Sequence, residues 1–191
     1  MSKTTDATGG LILILGGARA GKSSYALQLA GERELVSGSK VCFIATAQGL
    51  DKDMARRIDR HRGERPSQWL TIEAPYEIDK ALRQTDARIV IVDCLTLLVS
   101  NWLLRDELEC EPKLNQLIGS SISTAKARDQ TIICVSNEVG LGLVPDTPTG
   151  RRYRDLLGRV NQQVAQSADE VYLLVAGLPL RLKPDQPSRS D

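Results

Sequence analysis

The residues best suited to chemistry form a glycine-rich segment near the start of the chain, GGARAGKS at positions 16–23. This segment fits the pattern G-x-x-x-x-G-K-[ST], which defines a phosphate-binding loop (P-loop). Glycines let the backbone wrap closely around phosphate oxygens, and successive N–H groups form a binding site for anions. In such a loop Lys22 reaches the β- and γ-phosphates, and the Ser23 hydroxyl binds Mg²⁺. The segment therefore predicts binding of a nucleoside triphosphate together with Mg²⁺.

A carboxylate stands where a P-loop protein needs one. Asp93 directly follows the apolar residues Ile89–Val92. An apolar strand that carries a carboxylate at its carboxyl end is the Walker B pattern, and this carboxylate binds Mg²⁺ directly or through water. Many strands end in Asp, so the pattern is weak alone. The P-loop upstream favours a metal-binding role for Asp93.

His61 is the only histidine in the chain. It shares one face of a predicted helix with Met54 and Ile58, at the spacing i, i+4, i+7. A histidine at the edge of the core would show the same spacing. However, five arginines lie between positions 56 and 65, a density that suits phosphate oxygens as well as a solvated surface helix. A neutral imidazole there could attack a phosphorus atom while arginines stabilise the developing charge. From the residues alone, both interpretations stay open.

The apolar pattern predicts the fold that must position these residues. Six runs typical of strands cover residues 11–16, 40–46, 69–73, 87–93, 131–137 and 170–176, and a short seventh is expected over 178–182. Helical patterns cover residues 20–31, 51–62, 76–84, 95–104, 112–128 and 149–168. Several runs are apolar throughout, which indicates strands buried on both faces. Strands that alternate with helices predict an α/β fold, a mainly parallel sheet flanked by helices.

Length and composition set limits on domains and partners. The 191 residues, 41% hydrophobic and 26% charged, predict one domain over 10–183, with a flexible leader at 1–9 and a flexible tail at 184–191. A net charge of +1 gives no reason to expect nucleic acid or an anionic membrane as partner. The apolar runs are too short for a membrane span, and no signal peptide is evident. The four cysteines are interpreted as buried apolar residues in a reducing compartment, so a cytoplasmic location is expected.

Motifs that are missing from the sequence narrow the class further. The chain has no N-K-x-D element for guanine and no H-R-D or D-F-G of protein kinases. The residue pattern alone predicts a small P-loop phosphotransferase or NTPase. Two alternatives stay open: a non-catalytic nucleotide-binding regulator, and a plain small-molecule kinase in which His61 is structural. The loop at 140–148 is either the rim of the site or an inert surface loop, and the arginines of the last helix either are solvated or reach substrate.

Longer stretches of the chain resemble the bifunctional adenosylcobinamide kinase / adenosylcobinamide-phosphate guanylyltransferases of cobalamin biosynthesis. They are LGGARAGKSSYA, FIATAQGLDKDMARRIDRHRGERPSQWLTIEAP, VDCLTLLVSNWL, and the segment from VSNEVG to LPLRLK. Together they cover most of residues 11–183. The combination of GGAR-x-GKS, IAT, H-x-x-x-RP, NEVG-x-G-x-VP and RD-x-x-GR-x-NQ is highly specific to this family.

This resemblance implies two reactions on a RecA-like P-loop fold. The first phosphorylates the aminopropanol hydroxyl of adenosylcobinamide with ATP or GTP. The second transfers GMP from GTP to the resulting phosphate and gives adenosylcobinamide-GDP and pyrophosphate. The resemblance also implies that His61, in the H-x-x-x-RP element, is the nucleophile that carries the guanylyl group. Mg²⁺ as cofactor, a corrinoid substrate and a homotrimer are further implications.

The resemblance also carries a set of site residues over to this chain. It implies catalytic roles for His61, Lys22 and Asp93, and Mg²⁺ ligation by Ser23 and Asp93. The implied nucleotide contacts are Gly16, Gly17, Ala18, Arg19, Ala20, Gly21, Lys22, Ser23, Thr46, Ala47, Gln48, Arg62, Gly63, Glu64, Arg65, Glu73 and Asp93. Family members place Glu or Asp at the last position. Because Asp is shorter, direct and water-mediated contact with the metal both stay open.

Overall fold

The computed structural model describes residues 9–49 and 52–184. The predicted flexible leader and tail lie outside these residues except for their innermost positions, Gly9 and Pro184. The described strands form one sheet in the order β3-β2-β4-β5-β1-β6-β7. Their bounds are β1 Leu11–Gly16, β2 Val41–Ala45, β3 Leu70–Glu73, β4 Ile89–Asp93, β5 Thr131–Val135, β6 Glu170–Val175 and β7 Leu178–Lys183. All neighbouring strands are parallel except β6 and β7, which form an antiparallel hairpin. The predicted α/β fold is confirmed.

Six helices connect these strands within the described part of the chain. They are α1 Lys22–Ser37, α2 Lys52–Gly63, α3 Ile78–Gln84, α4 Leu95–Arg105, α5 Cys110–Ala127 and α6 Pro148–Ser167. The sequence-based end of α1 at Gly31 is wrong by six residues. Gly31 has open space around its Cα, and the helix continues to Gly38, whose left-handed φ of 65° ends it. The only apolar residues between these glycines, Leu35 and Val36, are adjacent, so this segment shows no helical spacing of apolar residues from which the continuation could be predicted.

The sheet is covered on both faces, as the continuous apolar runs predict. Ile12, Ile14 and Ala26 belong to the cluster on the α1 side of the sheet. Leu13 and Leu157 belong to the larger cluster on the side of α3, α4, α5 and α6. Because β1 to β6 are parallel, their carboxyl ends lie at one edge of the sheet. The residues that follow β1, β2, β3 and β4 meet at this edge.

The four cysteines are free thiols, and most of them are buried. Cys42, Cys110 and Cys134 are buried free thiols, as expected, whereas Cys94 is only partly buried. Burial raises the pKa of the Cys42 thiol, and a side-chain hydrogen bond from Thr85 opposes this shift. No helix in residues 9–49 or 52–184 has the length and apolar character needed to cross a bilayer.

Candidate active site

The P-loop connects β1 to α1 and depends on glycine at two positions. At Gly16 a Cβ atom would lie 2.6 Å from the carbonyl oxygen of Leu174, so a larger residue would clash with β6. Gly21 has a left-handed φ of 91° immediately before α1 begins at Lys22. Lys22 is 8% exposed, and its Nζ donates a hydrogen bond of 2.6 Å to the carbonyl oxygen of Gly17. The ammonium group is thus folded back over the loop that would wrap the phosphates.

A pocket of about 490 Å³ opens beside the P-loop, at the carboxyl ends of β2, β3 and β4. Eight residues predicted as site residues line it: Ser23, Ala47, Gln48, His61, Arg62, Arg65, Glu73 and Asp93. Residues separated by up to 70 positions in the sequence are therefore brought to one cavity. The pocket joins the serine of the P-loop to the histidine of α2.

His61 lies in the last turn of α2 and faces this pocket with 28% of its side chain exposed. Its Nδ1 lies 3.5 Å from Oε2 of Glu64, which follows the end of the helix. A carboxylate at Nδ1 favours a proton on that nitrogen and leaves the lone pair on Nε2. Glu64 itself does not line the pocket, and its carboxylate lies beside the imidazole that does. Gly63, the last residue of α2, contributes the chain turn between them.

Two arginines beside His61 are held in different ways. Arg62 donates a hydrogen bond of 2.7 Å from Nη2 to Oε1 of Glu73, and both side chains are more than half exposed. This pair links the end of α2 to the end of β3 and contributes at most about 1 kcal/mol to stability. Both side chains can therefore exchange their partner for a ligand at low cost.

Arg65 is held more firmly than Arg62. Its guanidinium carbon lies 3.5 Å from the ring centroid of Phe43 in β2, a cation–π contact, and its Nη1 donates to Oγ1 of Thr71 at 3.4 Å. Burial lowers the pKa of the Arg65 guanidinium, and the Asp93 carboxylate opposes this shift. The buried Nε finds no hydrogen-bond partner among the described residues. Because Arg65 also lines the pocket, its guanidinium is placed to bind an anion there.

Thr46 differs from the other predicted contacts because its side chain is completely buried. Its Oγ1 donates to the carbonyl oxygen of Cys94 at 2.7 Å and accepts from the N–H of the same residue at 2.8 Å. The Nδ2 of Asn101 also donates to the carbonyl oxygens of Thr46 and Pro75, each at 2.9 Å. Thr46 therefore ties the end of β2 to the segment after Asp93, and its neighbours Ala47 and Gln48 line the pocket instead.

Several residues of the pocket were missed by sequence reasoning. They are Ala45, Gly49, Ile58, Asp59, Thr71, Pro75, Cys94 and Leu97. Asn101 was also missed, although it lies in the matched stretch VDCLTLLVSNWL and fastens two walls of the pocket. These residues could have been predicted from their positions in the sequence, because most of them follow a predicted strand or share a helical face with His61. The Nε2 of Gln48 donates a hydrogen bond of 3.2 Å to the Tyr76 hydroxyl, which links the segment after β2 to the segment after β3.

The loop at 140–148 and the arginines of α6 do not line this pocket. Arg151 donates to the carbonyl oxygens of Pro145 and Asp146 within the loop, and Arg159 forms an ion pair of 2.7 Å with Glu111. Arg154 pairs with its neighbour Asp155 at 3.1 Å. Gly140, Arg154 and Arg159 instead line a second pocket of about 490 Å³ beside α6, so a solvated face and a contact with substrate both stay open for these arginines.

The oxygen donors for a metal are few, which suits Mg²⁺. No cluster of three or more His, Cys, Asp or Glu side chains that could hold a metal occurs in the part of the chain that the structure describes. Ser23 and the partly exposed Asp93 line the same pocket and offer a hydroxyl and a carboxylate. Mg²⁺ commonly takes one or two protein oxygens and completes its shell with water and nucleotide phosphates. The donor set therefore fits this ion.

Comparisons with solved structures show the fold. The flagellar accessory protein FlaH from Methanocaldococcus jannaschii is 19% identical with a TM-score of 0.56, over 93% of this chain and 79% of that one. A second solved structure, an ATPase domain, is 17% identical with a TM-score of 0.54, over 87% of this chain and 69% of that one. Both matches show the RecA-like fold, a mainly parallel sheet flanked by helices, so the predicted fold class is confirmed.

Comparisons of sequence identify the family of this chain as well as its fold. The family model described as cobinamide kinase / cobinamide phosphate guanyltransferase matches residues 12–182. The chain is 44% identical to the bifunctional adenosylcobalamin biosynthesis protein CobP of Pseudomonas aeruginosa, over 90% of this chain and 96% of that protein. It is 37% identical to the bifunctional adenosylcobalamin biosynthesis protein CobU of Escherichia coli, over 91% of this chain and 99% of that protein. With its P-loop, its RecA-like sheet and a match over nearly its whole length, this chain belongs to the cobinamide kinase / cobinamide phosphate guanyltransferase family.

Proposed function

We propose that this chain phosphorylates adenosylcobinamide and then transfers GMP from GTP to the adenosylcobinamide phosphate, using the P-loop and His61 for different phosphorus atoms. The observation that carries this proposal is the single pocket that holds Ser23, Asp93 and His61 together with Arg62 and Arg65. A triphosphate seated on the P-loop can extend from this loop toward α2. Its γ-phosphorus is then available for the kinase step and its α-phosphorus for attack by the imidazole.

In the kinase step the P-loop and Lys22 bind the β- and γ-phosphates. The aminopropanol hydroxyl oxygen bonds to the γ-phosphorus, the bond to the β,γ-bridging oxygen breaks, and a nucleoside diphosphate leaves while the hydroxyl proton passes to solvent. The protein contributes position and positive charge rather than a covalent bond. Mg²⁺, held by Ser23 and Asp93, would neutralise phosphate charge as it develops.

In the guanylyl step Nε2 of His61 bonds to the α-phosphorus of GTP and pyrophosphate leaves. The Glu64 carboxylate beside Nδ1 favours a proton on that nitrogen, which leaves the lone pair of Nε2 for the attack. A phosphate oxygen of adenosylcobinamide phosphate then bonds to the same phosphorus and releases His61. Arg62 and Arg65 stabilise the charge on the phosphoryl oxygens in both halves of this reaction.

A direct test uses GTP labelled at the α-phosphate, mixed with the protein and analysed by denaturing electrophoresis. We expect label on the protein from α-labelled GTP and none from γ-labelled GTP, because pyrophosphate leaves with the γ-phosphate. A non-catalytic regulator, or a plain kinase with a structural histidine, would bind GTP without retaining label. Absence of the adduct would therefore overturn the proposal for the guanylyl step.

Asp93→Asn tests the Mg²⁺ assignment. The amide binds Mg²⁺ more weakly than the carboxylate, so we expect the Mg²⁺ requirement of the kinase to rise roughly 10- to 100-fold. Nucleotide binding without metal should be retained. The measurement is kinase rate against Mg²⁺ concentration, with equilibrium binding of nucleotide as the second readout. Asp86→Asn, at a carboxylate that is 98% exposed, is the matched control. An unchanged Mg²⁺ dependence in Asp93→Asn would assign Asp93 a structural role at the end of β4.

A homotrimer also belongs to the proposal, and the β6–β7 hairpin supports self-association. Val175, Leu178 and Leu180 are 59%, 73% and 52% exposed. Val175 pairs with Leu178 across the hairpin, and Leu180 pairs with Leu173, so the exposed side chains lie on one face. An apolar face of this kind at the edge of a sheet is characteristic of a surface that another subunit covers.

Leu180→Arg tests this interface, because a charge buried there without a partner would be strongly unfavourable. We expect the wild-type protein to elute as a trimer and Leu180→Arg to show the mass of one subunit, 20.9 kDa, by light scattering. Leu35→Arg, at a leucine on α1 that is 87% exposed, should leave the trimer intact. A trimeric Leu180→Arg would exclude this face, and a monomeric wild type would exclude the trimer.

A cytoplasmic location completes the proposal. It is supported by the free thiols and by the use of GTP and ATP as substrates. Cell fractionation with an antibody against the chain tests it directly.

A further inference from the structure

Asn137 lies at the carboxyl edge of the sheet, between the two strands that carry the kinase machinery. The strand order places β5 between β4, which ends at Asp93, and β1, which ends in the P-loop. In the register of the sheet, Val135 pairs with Asp93 on one side and with Ile14 on the other. The residue two positions after Val135 therefore lies beside the P-loop.

The ladder between these strands continues past the end of β5. The N–H of Ser136 donates to the carbonyl oxygen of Ile14 at 2.9 Å, and the N–H of Glu138 donates to that of Gly16 at 3.1 Å. This is the regular parallel pattern, in which alternate residues of one strand bond to the other. Asn137 is consequently the next residue of an extended chain and follows the alternation of side chains in β5.

That alternation places Asn137 on the α1 face of the sheet. Ile133 and Val135 belong to the apolar cluster beneath α1, and the Ser136 hydroxyl bonds to α6 on the opposite face. Asp93 follows Ile89 and Ile91 of the same cluster by the same alternation, and it lines the pocket with Ser23. Asn137 thus shares its face with Asp93 and with the start of α1.

A buried polar network holds the backbone of Asn137. Its N–H donates to Oγ1 of Thr96 at 2.8 Å, and its carbonyl oxygen accepts from Nδ2 of Asn161 at 3.0 Å. Oδ1 of Asn161 accepts from Oγ of Ser136 at 2.7 Å. Thr96, Ser136 and Asn161 are 8%, 0% and 5% exposed. Thr96 and Asn161 thus hold the N–H and the carbonyl oxygen of Asn137, and Ser136 bonds to Asn161. The side-chain amide of Asn137 itself bonds to none of the described residues.

We propose that the side-chain amide of Asn137 donates a hydrogen bond to the γ-phosphoryl group of the bound triphosphate and is a catalytic residue of the kinase step. This inference rests on the proposed function. Asn137 neither gains nor loses a proton. It stabilises charge on the γ-phosphoryl oxygens while the hydroxyl oxygen bonds to the γ-phosphorus and the β,γ-bridging bond breaks.

Comparing the kinase and guanylyl reactions distinguishes a catalytic role of Asn137 from a structural one. In guanylyl transfer the bond that breaks joins the α-phosphorus to its bridging oxygen, so the γ-phosphate leaves unchanged within pyrophosphate. A hydrogen bond to the γ-phosphoryl group then contributes only to binding of GTP. Loss of the amide should therefore slow the kinase much more than formation of the guanylyl adduct.

The test compares Asn137→Ala, the isosteric Asn137→Asp and the control Asn115→Ala, at an exposed asparagine of α5. We expect Asn137→Ala to lower the kinase kcat about 10²-fold. The KM for nucleotide and the rate of adduct formation should change by no more than about 3-fold, which is less than 1 kcal/mol. Asn137→Asp should lose at least as much kinase activity, because it replaces a donor by a second negative charge. Asn115→Ala should match the wild type.

Each outcome bears on the proposal. Equal losses in the kinase and adduct reactions would show that Asn137 acts only through the architecture of the strand end. Unchanged kinase activity would show that its amide does not contact the transferred group. If the thermal midpoint shows that Asn137→Ala does not fold, the same comparison of kinase and adduct rates is made with the isosteric Asn137→Asp. A wild type that lacks both activities would instead refute the proposed function itself, so the two failures are distinguishable.

Discussion

We expect His61→Ala to form no covalent guanylyl adduct and to lose guanylyl transfer by at least about 10³-fold, the order seen when a catalytic nucleophile is removed. The physical reason is that the second reaction passes through a bond between Nε2 and the α-phosphorus. His61 is the only histidine in the chain, so no neighbouring imidazole can replace it. The kinase step should persist, because direct phosphoryl transfer uses the P-loop, the metal and the acceptor hydroxyl without a covalent histidine.

The measurement is retention of label from α-labelled GTP after denaturation, in the wild type and in His61→Ala. The wild-type adduct should be lost in acid and survive alkali, since it contains a P–N bond. Kinase activity of the same His61→Ala preparation is the internal control for folding. An acid-labile adduct that survives in His61→Ala would refute the assignment. Loss of both reactions with an intact fold would show that α2 also shapes the kinase site.

The second large effect is expected for Lys22→Ala, which should slow both reactions by at least about 10²-fold. Lys22 places its ammonium group beside the P-loop backbone, with Nζ 2.6 Å from the carbonyl oxygen of Gly17. In the kinase step this charge stabilises the transferred phosphoryl group. In the guanylyl step it stabilises the pyrophosphate that leaves. Removal of one side chain should therefore weaken two transition states.

The measurement for Lys22→Ala is kcat/KM for each reaction under the same conditions. Lys40→Ala, at an exposed lysine before β2, is the matched control and should change neither reaction. The thermal midpoint should stay near that of the wild type, because the ammonium group bonds to the carbonyl oxygen of Gly17 within the loop. Near-normal activity of Lys22→Ala in either assay would mean that this reaction does not use the P-loop.

Local patterns were sufficient for the fold class and, within the site, for the P-loop and Asp93. The run LILILG, the glycines after it and the helix that begins at Lys22 are adjacent in sequence, so their geometry depends on neighbouring residues alone. Asp93 was identified in the same way, because a carboxylate after an apolar run lies at the edge of a sheet whatever the order of the strands. The role of His61 needed the family resemblance, since its spacing is equally compatible with a core residue.

Contacts between residues far apart in the sequence could not be predicted from such local patterns. The resemblance assigns Thr46 to the nucleotide, whereas the structure uses its hydroxyl to join the ends of β2 and β4, through a partner 48 residues away. The stacking of Arg65 on Phe43 and the two hydrogen bonds from Asn101 likewise link separate segments. Nothing in the local sequence encodes these partners, because each depends on which strand ends lie side by side.

The sequence by itself determined that the chain has a P-loop, a carboxylate after β4 and a single histidine among arginines, since these are properties of residue type and spacing. Only the tertiary structure decided that β5 lies between β1 and β4. That order places Asn137 between the P-loop and Asp93, and it lets Thr96 and Asn161, which lie 65 residues apart, hold the same backbone segment. Strand order follows from how all the helices pack on the two faces of the sheet, and this packing is a property of the whole chain.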